Sequence, residues 1–95
     1  MIRIEEIKDK IIPLLQKHQI KQAGIFGSVA TGHATEKSDI DILVELGKKI
    51  SLLEFVRIKY ELEDVLGKKV DLVEYQAVKS RLKERIFSEE IRIYG

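Results

Sequence analysis

Two aspartates, Asp39 and Asp41, stand one residue apart at the start of an otherwise apolar run, "DIDILVEL". Side chains on an extended strand alternate between faces. Both carboxylates therefore point one way while Ile40 and Ile42 point the other. Two residues of rise set their backbones about 7 Å apart, and the carboxylate oxygens can converge further. Two anions about 5 Å apart repel by on the order of 3 kcal/mol at an effective dielectric of 20. Solvation, protonation or a bound cation relieves that repulsion. Hard oxygen ligands in a partly open site suit magnesium, with manganese able to take its place. A third acid, Asp71, sits in "VDLVEY" between Val70 and Leu72. If that segment runs as a strand beside the first, Asp71 completes a cluster of three carboxylates. Such a cluster can hold two metal ions about 3.5–4 Å apart.

A second group of residues precedes the acids. The run "IKQAGIF" ends at Gly27-Ser28, and ten residues separate Ser28 from Asp39. A glycine after a strand lets a phosphate approach the backbone closely. Ser28 can open a short helix whose free N–H groups and hydroxyl bind phosphate oxygens. Phosphate held at Gly27-Ser28 and a metal held at Asp39 and Asp41 describe a nucleoside triphosphate with its magnesium. Alone, Gly-Ser is an ordinary turn and Asp-x-Asp an ordinary exposed pair. Together at this spacing they arise by chance in roughly one chain of this size per thousand.

The elements that must carry these residues follow from periodicity. Ile4, Ile7, Ile11 and Leu15 recur at helical steps and predict a first helix from Ile4 to His18. Pro13 inside it predicts a kink or break near residues 9 to 13. Ile20 to Phe26 and Asp39 to Leu46 read as strands, the second central because Ile42, Leu43 and Val44 are consecutive apolar residues. "SLLEFVRIKYELEDVLG" reads as a helix with a Ser51–Glu54 capping box, an apolar stripe of Leu52, Phe55, Ile58, Leu62 and Val65, and a stop at Gly67. Lys68 to Tyr75 reads as a third strand. Residues 77 to 93 read as a closing helix with Val78, Leu82, Ile86 and Ile93 on one side. The apolar residues Ile86, Phe87, Ile91 and Ile93 spread beyond one side, which predicts a second buried surface for self-association or a partner. The fold class is α/β (α+β): a small mixed β-sheet of about three strands flanked by helices, in a single domain spanning residues 1–95.

Composition narrows the function. The 95 residues suit one small domain, with 17 basic against 16 acidic side chains and a net charge of +1. Bulk attraction to nucleic acid or to anionic lipid is not indicated. There is no cysteine, which excludes disulfides, thiolate catalysis and zinc–sulfur sites and fits a reducing cytoplasm. No apolar run approaches the ~20 residues a membrane helix needs. The start "MIRIEEIKDK" lacks the pattern of a signal peptide.

With Gly27, Ser28, Asp39, Asp41 and Asp71 at these places, the chain resembles the minimal nucleotidyltransferases of the DNA polymerase β-like superfamily. It is similar in particular to the antitoxin-type members encoded beside HEPN-domain partners. The resemblance covers nearly the whole chain. It implies transfer of AMP from ATP onto a tyrosine of a HEPN ribonuclease toxin, which silences the toxin. It implies Mg²⁺ held by Asp39, Asp41 and Asp71, with Asp71 helping to activate the incoming hydroxyl, and β- and γ-phosphates held at Gly27 and Ser28. One departure stands out. Relatives often read "GSRARG" where this chain reads "GSVATG", so Val29 and Thr31 replace two arginines.

Two other readings compete. A binding module could neutralise its partner by covering it, and Val29 and Thr31 favour that view while the intact acids oppose it. A metal-dependent nuclease also uses clustered acids, but the Gly-Ser turn and the balanced charge oppose it. His18 reads as a helix-end residue, His33 as a loop residue, and Tyr60, Tyr75 and Tyr94 as packing or partner contacts.

Overall fold

In the computed structural model, which describes residues 3–78, 86 and 88–95, the first apolar stripe folds as helix α1, Ile4–Lys17. Ile7, Ile11 and Leu15 are buried along it. The expected break does not occur, because α1 runs straight through Pro13 as one element. Pro13 and Asp9 are both exposed. The Asp9 carbonyl that loses its helical donor can therefore bond to water instead.

Strand β1, Ile20–Phe26, leads into a five-residue helix α2, Gly27–Thr31, and then to strand β2, Ile40–Leu46. Helix α3, Leu52–Leu66, begins where the capping motif placed it. Ser51 Oγ accepts the Glu54 N–H at 3.1 Å, and Gly67 ends the helix at φ 67°. Its buried stripe keeps the centre of the expected one, with Phe55 packed against the core, and differs at the flanks. Ile58, Leu62 and Leu66 face the core, whereas Leu52 and Val65 are exposed.

Strand β3, Val70–Glu74, follows, then a single 3-10 turn at Tyr75–Ala77. The expected closing helix is corrected at its end: Ile91–Tyr94 form a strand, β4, paired antiparallel with β1. Ile86, Ser88 and Glu89 are helical. Leu82 and Phe87 of the expected helix, with the basic stretch 79–85, lie outside the described residues.

The sheet thus has four strands in the order β3-β2-β1-β4, not about three. β1 and β2 are antiparallel, and β2 and β3 are parallel, joined through α3. Helices α1 and α3 pack on one face. There Ile7, Ile11 and Leu15 meet Ile58 and Leu62, and Ile40, Ile42, Val44, Val70 and Leu72 project from the sheet. Burial of each such side chain contributes about 1.5–3 kcal/mol against the entropy of ordering it. Alternation sends Asp41, Leu43 and Glu45 to the opposite face. No helix among the described residues is long and apolar enough to cross a membrane.

Candidate active site

The site begins where β1 ends. Phe26 is extended, and Gly27 turns the chain at φ 72° into α2. An ordinary residue adopts that angle only with strain. A second constraint acts at the same atom: a Cβ on Gly27 would overlap Oδ2 of Asp41. The glycine therefore serves both the turn and the approach of the carboxylate. Ser28 is half-buried beside it. Thr31 Oγ1 donates back to the Gly27 carbonyl at 3.1 Å, and the His33 N–H bonds the Ser28 carbonyl at 2.9 Å. His33 Nδ1 lies 3.1 Å from Thr31 Oγ1. The loop that follows is tied down at Thr35, whose N–H donates to Ser38 Oγ at 2.9 Å, and at Glu36, whose carbonyl accepts Lys68 Nζ at 2.7 Å.

β2 opens at Ile40, whose N–H donates to the Lys69 carbonyl at 3.0 Å. Asp39 therefore lies just outside the strand and is exposed, and Asp41 is its second residue. Asp41 pairs with Phe26 on one side and with Asp71 on the other. Strand neighbours in register lie about 4.8 Å apart with side chains on a common face. The Asp41 carboxyl responds to this setting and is pushed up to about 6, chiefly by burial, then by the Asp71 and Asp39 charges. Like charges and partial desolvation both disfavour its ionised form.

The fold therefore brings Asp41 into interaction with both other acids and against Gly27. Among the described residues, no three acidic or histidine side chains stand close enough together to form a ready-made metal cage. The donor set still suits a hard divalent cation: all-oxygen ligands, neighbouring backbone positions, and a central carboxyl whose charge its neighbours penalise.

One group near the acids escaped the sequence reading. The Tyr75 hydroxyl donates to Glu90, Arg92 Nε donates to the same carboxylate at 3.3 Å, and the Arg92 guanidinium lies 5.5 Å from the Tyr75 ring centroid. Burial and the Glu90 charge raise the Tyr75 hydroxyl well above its ordinary range. Glu90 lies against Gly24, where any Cβ would overlap it. Reading residues 77 to 93 as one helix hid this group, because only the pairing of β4 with β1 delivers Glu90 to Gly24. No spacing in the sequence signals it. His18 meets Glu61 of α3 at the far side of the molecule from the acids, and His33 remains in its exposed loop.

Known proteins share this architecture. The family model described as "Polymerase beta, Nucleotidyltransferase" matches residues 9–95. The candidate protein adenylyltransferase MJ0435 of Methanocaldococcus jannaschii is 54% identical over 92 residues, covering 97% of this chain and 99% of that protein. A solved structure of a candidate minimal nucleotidyltransferase superposes with a TM-score of 0.80 at 34% identity, covering 95% of both chains. A crystal structure of a toxin–antitoxin with AMP-PNP gives a TM-score of 0.81 at 26% identity, covering 93% of this chain and 73% of that one. The family match spans every element that carries the acids and the Gly-Ser turn, and this chain belongs to the polymerase beta nucleotidyltransferase family.

Proposed function

We propose that this chain transfers AMP from ATP to a hydroxyl, that of a tyrosine, on a partner HEPN-domain ribonuclease toxin, and so acts as an antitoxin. The observation that carries the reading is the register of Asp41 with Asp71, with Gly27 packed against Asp41. Acids on two neighbouring strands, one strand from a serine turn, suit a triphosphate with its cation. The adenylyltransferase name of the relative and the AMP-PNP of the structural neighbour support the same nucleotide.

Asp39, Asp41 and Asp71 would hold magnesium, or manganese, which when bound neutralises triphosphate charge and polarises the reacting phosphorus. The remaining work belongs to the chain. Ser28 Oγ and the nearby amides hold the β- and γ-phosphate oxygens. Asp71 takes the proton of the incoming hydroxyl. The acceptor oxygen bonds to the α-phosphorus, the bond from that phosphorus to the bridging oxygen breaks in line, and pyrophosphate leaves. Positioning and charge complementarity supply the catalysis.

Co-expression with the neighbouring HEPN protein, followed by intact-mass measurement, tests this. The partner should gain the mass of AMP, and Asp41→Asn should remove the gain. A partner that stays unmodified beside the intact chain overturns the transfer. A second reading would then hold, neutralisation by binding alone. Thr31 favours it, since its hydroxyl is committed to the Gly27 carbonyl and brings no cation to the turn.

A further inference from the structure

The large hydrophobic side chains that stand exposed among the described residues all lie on α3: Leu52, Leu53, Tyr60 and Val65, with Leu53 73% and Tyr60 56% accessible. Scattered single exposures are ordinary, but a contiguous patch marks an interaction surface. Leu53, Val56, Tyr60 and Asp64 follow at three- and four-residue steps, with Arg57 between them. They line a shallow groove of about 400 Å³ along the side of α3 turned away from Ile58, Leu62 and Leu66.

We propose that this stripe pairs with the same stripe of a second copy, α3 against α3, antiparallel about a two-fold axis passing between Tyr60 and Glu61. The charges argue for a second copy over an unlike partner. Arg57 and Asp64 lie seven residues apart, about 10.5 Å along the helix, on one face. Neither makes an ion pair among the described residues. The axis brings each Arg57 opposite the second copy's Asp64, so one residue pair is used twice, as isologous contacts require. The apolar residues of the stripe fill the space between the two ion pairs.

Position separates the stripe from the transfer acceptor's approach. The acids project from the face of the sheet away from α1 and α3. A group reaching Asp41 is therefore separated from the stripe by the sheet and by a helix about 10 Å thick. The dimer leaves both acid sites facing outward and does not depend on the reaction they perform. One helix face falls short of the ~1,200–2,000 Å² of a stable interface, so the dimer is weak and depends on concentration.

Sedimentation equilibrium from micromolar to millimolar protein tests the pairing, with circular dichroism to verify the fold of each variant. The wild-type mass should rise toward twice the monomer. Arg57→Asp and Asp64→Arg alone should each hold it at the monomer, and the two together should restore association. A wild type that stays monomeric throughout, a dimer that either single variant leaves intact, or a folded double variant that stays monomeric overturns the proposal.

Discussion

Asp41 of β2 lies so close to Gly27 at the end of β1 that no side chain fits on the glycine. The turn that would hold phosphate and the acid that would hold metal are thus one packed unit. Movement of either displaces the other.

Gly27→Ala follows from that contact. The methyl group meets Asp41 Oδ2, and φ 72° adds strain that alanine cannot relieve. Loss of about 2 kcal/mol in stability is expected. Thermal melting measures it, and transfer from α-labelled ATP should fall to background even at temperatures where the variant is folded.

Asp41→Asn should separate activity from stability. The folded carboxyl is raised to about 6, above its ordinary 3.8, so the ionised form destabilises the fold. That penalty is fully present above about pH 6 and is relieved as pH falls through that value. A displacement of this size corresponds to about 3 kcal/mol without screening. Solvent at a half-exposed carboxylate brings this to about 1 kcal/mol. In metal-free buffer at pH 8, the variant should be more stable than the wild type by about that amount, and with magnesium and ATP supplied it should transfer no AMP. Denaturant melts at pH 5 and pH 8 check it, since the gap should narrow at the lower pH.

Ser28→Ala removes one hydroxyl from the turn without touching the core. A lost hydrogen bond to a charged oxygen costs about 1.5–3 kcal/mol, or roughly tenfold or more in binding. KM for ATP should rise by that factor with the melting temperature unchanged. An unchanged KM would remove Ser28 from the phosphate site.

Ser51→Ala tests a purely structural device. The Ser51 hydroxyl satisfies the Glu54 N–H at the start of α3, and its loss should cost about 1 kcal/mol. Chemical denaturation reads this directly, and transfer activity in native conditions should be unaffected.

How much of this was legible follows a physical line between local and distant interactions. β1 was readable to the residue, because its apolar run ends at a glycine that cannot continue it. The Ser51 cap and the Gly67 stop were readable for the same reason, since each acts on a backbone within four residues. Residues 91–93 were misread as helix, because so short an apolar run suits either period and becomes a strand only through hydrogen bonds to β1. The flanks of the α3 stripe, Leu52 and Val65, were misjudged in the same way. Periodicity finds an apolar helix, but the sheet beneath it chooses which residues are covered.

The candidate site divides likewise. Residue types and spacing alone carried the expectation that Asp39 and Asp41 share a face and that Gly27-Ser28 can receive an anion. Alternation along a strand and the freedom of glycine are properties of a few bonded neighbours. Tertiary structure decided that Asp71 meets Asp41 in a parallel register and that Glu90 lies over Gly24. Those meetings join residues far apart in the chain, and their geometry is set by strand pairing and the shared hydrophobic core.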